Sequence, residues 1–237
     1  GVVSAPSYNG SDKNVLIPGA AVSGRINGYA FSSRGTNLAV DLVREARGQQ
    51  WDVRLGPLAS LRSERVSGIH DPQVKALGKL KRAFELGGTA GISKTGVFTG
   101  RHDQIGMRVS FLADVSGRHK SWSLSPTVEY GTPLSRKTYV GMQASANIAG
   151  KKFGRYYYDV SPAGSAASGL SAYAGAGSKT GLSRYSIGIA GAQSVSGDLR
   201  KGWALVAGVQ YSKMQGRYAR SPIVSEAGKK SQWLFGL

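Results

Sequence analysis

Residues 121–130 read S-W-S-L-S-P-T-V-E-Y. Every second residue is large and apolar: Trp122, Leu124, Pro126, Val128 and Tyr130. Ser121, Ser123, Ser125, Thr127 and Glu129 fill the places between. A β-strand sends successive side chains to opposite faces, so this stretch has one apolar face and one polar face. The apolar face begins and ends on an amphipathic ring. Eight residue steps of about 3.3 Å, tilted by about 40°, cover roughly 20 Å, close to the apolar band of an outer-membrane barrel. Aromatic rings at both ends of such a band sit at the two lipid–water interfaces.

The pattern recurs. Trp203, Leu205, Ala207, Val209 and Tyr211 repeat it with the same Trp-to-Tyr spacing. Trp51, Val53, Leu55, Pro57, Ala59 and Leu61 alternate with Asp52, Arg54, Gly56, Ser60 and Arg62, with Leu58 the exception. Ile105, Met107, Val109, Phe111 and Ala113 form another such row. Asn27-Gly28 is a strong two-residue hairpin signal. About twelve strands result, residues 15–26 being read as one of them. The long connections, 63–82, 150–181 and 217–231, fall on one side, and the short ones, 44–50, 132–137 and 197–201, on the other. Bacterial barrels have this parity. The expectation is an all-β chain: a single domain over residues 1–237 forming a closed, antiparallel, up-and-down transmembrane β-barrel. A β-sandwich or a lipocalin-like barrel, with its apolar face inward, also alternates. The repeated aromatic-to-aromatic spacing argues against both.

Composition fits. No apolar run approaches the roughly 18 residues of a membrane helix. Mean hydropathy is −0.22, as lumen-facing polar residues would give. The 34 glycines and 11 tyrosines suit short strands and turns. Cysteine is absent, which excludes disulfides and thiol chemistry. The formal net charge of +18 attracts polyanions. The basic residues are scattered and form no nucleic-acid motif, so no nucleic-acid partner is expected. Membrane lipid and lipopolysaccharide are the partners that suit a basic barrel. The residues from Gly1 onward do not read as a signal peptide; export to an outer membrane requires one, so its prior removal is expected. Residues 232–237 begin an alternating strand and stop early, so both ends are expected to be trimmed.

Two residue sets follow. Trp51, Trp122, Tyr130, Trp203 and Tyr211 are expected to form a lipid-facing girdle. Arg54, Arg62, Arg108, Asp114 and Glu129 are expected to face the lumen. There the arginines either favour anions in a pore or pair with Asp52, Asp114 or Glu129 and plug it. His70, His102 and His119 lie in connections without metal-ligand spacing and read as solvated. Gly177-Ser178-Lys179-Thr180 lacks the full phosphate-loop spacing, and no G-x-S-x-G elbow is present. Tyr156-Tyr157-Tyr158 beside Arg155 reads as a loop-packing cluster or a partner-facing patch. No catalytic residue, metal or cofactor is expected.

The chain resembles the MipA/OmpV family of Gram-negative outer-membrane proteins. The resemblance rests on residues 5–12, A-P-S-Y-N-G-S-D, followed by Leu16-Ile17-Pro18, and on Phe84-Glu85-Leu86-Gly87. Its best-matching part runs from Tyr156 through Ser161-Pro162-Ala163 to Ser168-Gly169-Leu170, Tyr173 and Gly175-Ala176-Gly177. Ser221-Pro222-Ile223-Val224 and residues 232–237 fit as well. Tyr158-Asp159-Val160 departs from the family's usual aromatic-Gly-Val. The resemblance implies a non-enzymatic barrel. It also implies interaction with a lytic transglycosylase, and scaffolding of that enzyme with a penicillin-binding protein, linking murein cutting and synthesis. Other family members resemble porins or adhesins, which gives an alternative: a general or anion-preferring porin for small solutes. No residue-level binding motif and no oligomeric state come with it.

Overall fold

The computed structural model describes residues 1–44, 50–199 and 203–237. They form one 13-stranded sheet. Its strands are β1 (Val2–Pro6), β2 (Asn14–Pro18), β3 (Ala21–Ile26), β4 (Tyr29–Arg34), β5 (Asn37–Val40) and β6 (Trp51–Arg62). Then come β7 (Ala83–Thr95), β8 (Gln104–Asp114), β9 (Trp122–Pro133), β10 (Thr138–Ala149), β11 (Gly181–Ser194), β12 (Ala204–Met214) and β13 (Ser231–Gly236). Every pair is antiparallel, and from β3 to β13 each strand lies beside the next in sequence. β1 lies between β2 and β13, with Val3 opposite Gly236. The quoted stretch is β9, in register with both neighbours: Pro126 opposes Val109, and Tyr130 opposes Met142.

The strand count differs from about twelve because residues 15–26 are two strands. Pro18, which has no N–H to give a ladder, ends β2, and Gly19 and Ala20 separate it from β3. The Gly19 N–H donates to the Gly1 carbonyl at 2.9 Å, on the β1 side. The Ala20 carbonyl accepts from the Gly35 N–H at 3.0 Å, on the β4 side. The two end strands of the sheet order, β2 and β3, are therefore consecutive in the chain.

The sheet is apolar on its exposed face. Val53, Leu55, Met107, Val109, Phe111, Ile187 and Ile189 are exposed, with Leu55 57% and Met107 61% accessible. The opposite face buries small polar residues: Ser60, Ser123, Thr127, Ser183, Ser186 and Ser212. Leu58, which breaks the alternation of β6, is on the buried side. A water-soluble sandwich has the reverse arrangement.

The buried apolar residues instead gather at one end. The connections β6–β7, β10–β11 and β12–β13 carry five short helices: α1 (Pro72–Ala76), α2 (Lys151–Tyr158), α3 (Pro162–Ser168), α4 (Gly216–Ala219) and α5 (Pro222–Ser225). Asp71 caps α1 by accepting from the Val74 N–H, and Ser161 caps α3 by accepting from the Gly164 N–H. Proline occupies the first turn of α1, α3 and α5, where its missing N–H costs least. α2 is amphipathic, burying Phe153 and Tyr157 one turn apart and exposing Lys151, Lys152 and Arg155. The expected turns at 44–50 and 197–201 fall partly outside the described residues.

Candidate functional site

The five helices and the β1–β2 connection form a cap over one end of the sheet. One apolar cluster joins Phe153, Tyr157 and Tyr158 of α2 to Tyr218 and Val224 of the β12–β13 connection. A second joins Tyr8, Val74, Val160, Leu170, Ile223 and Ala227, drawing one segment from each of the four connections. Tyr157, Tyr218, Leu170, Ile223 and Val74 are at most 1% accessible. Residues 156–158 thus pack inside the cap. A Cβ on Gly154 would collide with the Ala176 carbonyl oxygen, so glycine lets α2 lie directly on the segment that returns to β11.

Polar contacts lock the cap. The Tyr8 hydroxyl donates to the Ala227 carbonyl at 3.2 Å, and the Ser221 hydroxyl to the Tyr158 carbonyl at 2.6 Å. Gln232 accepts from the Gly10 N–H at 3.0 Å and donates to the Ser11 carbonyl at 2.8 Å. Asn9 bonds both carboxylate oxygens of Glu64 and accepts from Arg184. The Arg65 guanidinium donates to the Tyr157 carbonyl at 3.1 Å. Burial pushes the Tyr218 hydroxyl up to about 12 and also raises those of Tyr157 and Tyr158. These phenols stay neutral in the cap.

Beneath α2 the buried Glu85 and His119 meet the partly buried Arg62. Glu85 Oε1 accepts from Arg62 Nε at 2.9 Å and from His119 Nε2 at 3.0 Å. The Arg62 guanidinium lies 5.0 Å from the centre of the Phe153 ring. The His119 ring lies 5.3 Å from Phe153 and 5.6 Å from Tyr157. Glu85 and His119 have fully buried side chains. His119 is therefore not a solvated loop residue, as expected from sequence; α2 folds over it. His70 and His102 are exposed. Among the described residues His119 has Glu85 as its hydrogen-bond partner through Nε2, and its buried Nδ1 has none. No group of three His, Cys, Asp or Glu side chains able to hold a metal occurs among those residues.

Farther from the cap the polar face borders two cavities. One cavity, about 470 Å³, is walled by β3 to β9 and includes Arg25, Arg108 and Thr89. Another, about 570 Å³, is walled by β6 and by β8 to β13 and includes Gln104, Tyr139, Gln143 and Gln210. Arg54 and Glu129 border both. Near the cap, side chains of this face bond one another: Asn147 donates to Ser125 at 2.9 Å and accepts from Ser183 at 2.7 Å.

Of the expected lumen residues, Arg54 pairs with Asp52 at 2.8 Å and Arg62 with Glu85, a partner not foreseen. Arg108 and Glu129 border the first cavity. Asp114 instead holds the β8–β9 turn, accepting from Ser116 and from the Lys120 N–H. Of the expected girdle, Trp51 and Trp203 are exposed at the end opposite the cap. Trp122 stacks on Phe111 at 6.1 Å, and Tyr211 lies 5.1 Å from Trp233, both near the cap. Tyr130 donates to Asp103 at 3.0 Å in the β7–β8 turn. Asp103 also accepts backbone N–H bonds from Val97, Phe98 and Thr99. Burial opposes its ionisation, but the Thr99, Phe98 and Val97 N–H groups and the Tyr130 hydroxyl outweigh it and hold the carboxyl well below the usual range.

A family model described as MltA-interacting protein MipA matches residues 1–237, the whole length. The chain belongs to that family, as the resemblance in its residues implied. No curated protein matches it.

Proposed function

We propose that this chain is an outer-membrane β-barrel, sealed at one end, that serves as a docking protein for a murein-cutting lytic transglycosylase. The single observation that carries the sealed barrel is the pairing of an exposed apolar face with a capped polar interior. Lipid is the solvent that favours such an inversion. Closure is supported by the bent strand over residues 14–26. Successive residues of an extended chain turn their backbone groups to opposite edges. Gly19 bonds toward β1 and Ala20 toward β4, which supports reading β2 and β3 as one bent strand shared by both ends of the sheet. Counted as a single strand it makes the total even, as in bacterial single-chain barrels.

The partner comes from the family description, which names interaction with MltA. The family is one of interaction proteins, and the non-enzymatic reading agrees with it. A penicillin-binding protein as a second partner is part of the same proposal. The cap speaks against free passage of solutes, because its apolar clusters and the polar network beneath it fill the helical end.

Two measurements test this. Purified, detergent-folded protein immobilised on beads should retain a purified lytic transglycosylase from the same bacterium; no retention at micromolar enzyme overturns the docking role. In planar bilayers the inserted protein should give no sustained conductance steps. Regular anion-selective steps would favour the porin instead.

A further inference from the structure

The cap carries a cationic arc on the side of β7 to β10. Lys81 and Arg82 precede β7, Arg118 and Lys120 lie in the β8–β9 turn, and Lys151 and Lys152 open α2 after β10. All six are exposed. Backbone bonds make these segments neighbours. The Val115 N–H donates to the Phe84 carbonyl at 3.0 Å, and the Gly150 N–H to the Trp122 carbonyl at 3.0 Å. Three inter-strand steps of about 4.8 Å give an arc roughly 14 Å long.

Nothing on this arc neutralises it. The two carboxylates on the strands and turn that carry it are already engaged: Glu85 with Arg62 and His119, and Asp114 with Ser116 and the Lys120 N–H. None of the six side chains is held in an ion pair among the described residues. Directly below it, on the outward face, are Phe84, Phe111 and Val115, 42–56% accessible, and Trp122. Clustered cations immediately above an apolar, aromatic-bearing face match an anionic lipid, with phosphate at the cations and acyl chains against the rings.

We infer that this arc binds the phosphate groups of an anionic membrane lipid on the capped side. The inference rests on the membrane reading above, and the test separates the two. Detergent-folded protein is titrated with a diphosphorylated glucosamine-based lipid and with the same lipid dephosphorylated, binding being read by native mass spectrometry. The phosphorylated lipid should bind at least about tenfold more tightly. The variant R118Q/K120Q/K151Q/K152Q should lose that preference. The variant K94Q/R101Q/R136Q/K137Q, with equal charge removed at the opposite end, should keep it. If the first variant does not fold, K151Q/K152Q is used and should lose a good part of the preference.

Equal binding of the two lipids overturns the inference, as does an equal loss in the opposite-end variant. Displacement of the lipid by inorganic phosphate at the same phosphate concentration also overturns it, since the arc would then read free phosphate. Failure of the wild type to insert into bilayers strikes the membrane reading itself, whereas insertion without lipid preference strikes only the arc.

Discussion

Glu85 and His119, thirty-four residues apart, meet at 3.0 Å beneath helix α2, and the oxygen they share also receives Arg62. The contact ties β7 and the β8–β9 turn to the underside of the cap. Removing the carboxylate leaves a partly buried guanidinium beside a ring with no counter-charge.

Glu85→Ala should therefore destabilise the protein by about 3–5 kcal/mol, the usual cost of breaking a buried pair from one side. Glu85→Gln, which retains an acceptor, should cost less. The temperature at which the folded band converts to the slow-migrating unfolded form on a gel measures both. Equal midpoints for Glu85→Ala and wild type would show that the triad holds nothing in place.

Gly154→Val should loosen the cap without touching the sheet. The new side chain meets the Ala176 carbonyl, so α2 must shift. Limited proteolysis is expected to cut within residues 159–180 faster than in wild type, while the β-sheet circular dichroism is unchanged. A cleavage pattern identical to wild type would contradict the close approach.

The two faces of the sheet should respond oppositely to charge. Val109 is exposed midway along β8, opposite Pro126. Gln143 borders the second cavity. Val109→Arg should lower folding yield into lipid vesicles by an amount equivalent to about 2–4 kcal/mol, the cost of a cation at mid-bilayer. Gln143→Arg should fold nearly normally. Equal yields would mean that the exposed face does not meet lipid.

Asp103 should give the β7–β8 turn a distinct acid response. Its carboxyl is held well below the usual range, so its contribution is fully present above about pH 4, the ordinary aspartate value. The contribution is lost as pH falls through the lowered folded value. Amides of Val97, Phe98 and Thr99 should stay protected from hydrogen exchange at pH 4. In Asp103→Asn they should lose protection at pH 7 as well. Protection in the variant matching wild type at both pH values would remove the carboxylate from the account.

The sheet was legible because strand period is a local property. Trp122, Leu124, Val128 and Tyr130 announce β9 without reference to any neighbour. The break at Gly19 and Ala20 was not, because it arises from a change of partner: β1 on one edge, then β4 on the other. The cap was half legible. Asp71-Pro72, Ser161-Pro162 and Ser221-Pro222 each set a capping-type residue before a first-turn proline, a helix-start signal. The helices that follow have 5, 7 and 4 residues, too short to develop a 3.6-residue period. His119 gave no signal at all. Its burial is created by Phe153 and Tyr157, which only the folded β10–β11 connection brings over it.

The pairing of β1 with β13 has a kinetic meaning. Val3 and Ser4 find their partners, Gly236 and Phe235, at the far end of the described chain. The β-hairpins between them can zip locally, but this seam carries the largest loop-closure cost in the molecule and waits for the last strand. Until then the strands at either side keep open edges beside an apolar face that water does not favour. In a folding chain of this design those edges stay open until the first and last strands join, and a bilayer already in contact with the apolar face shortens the exposure to water.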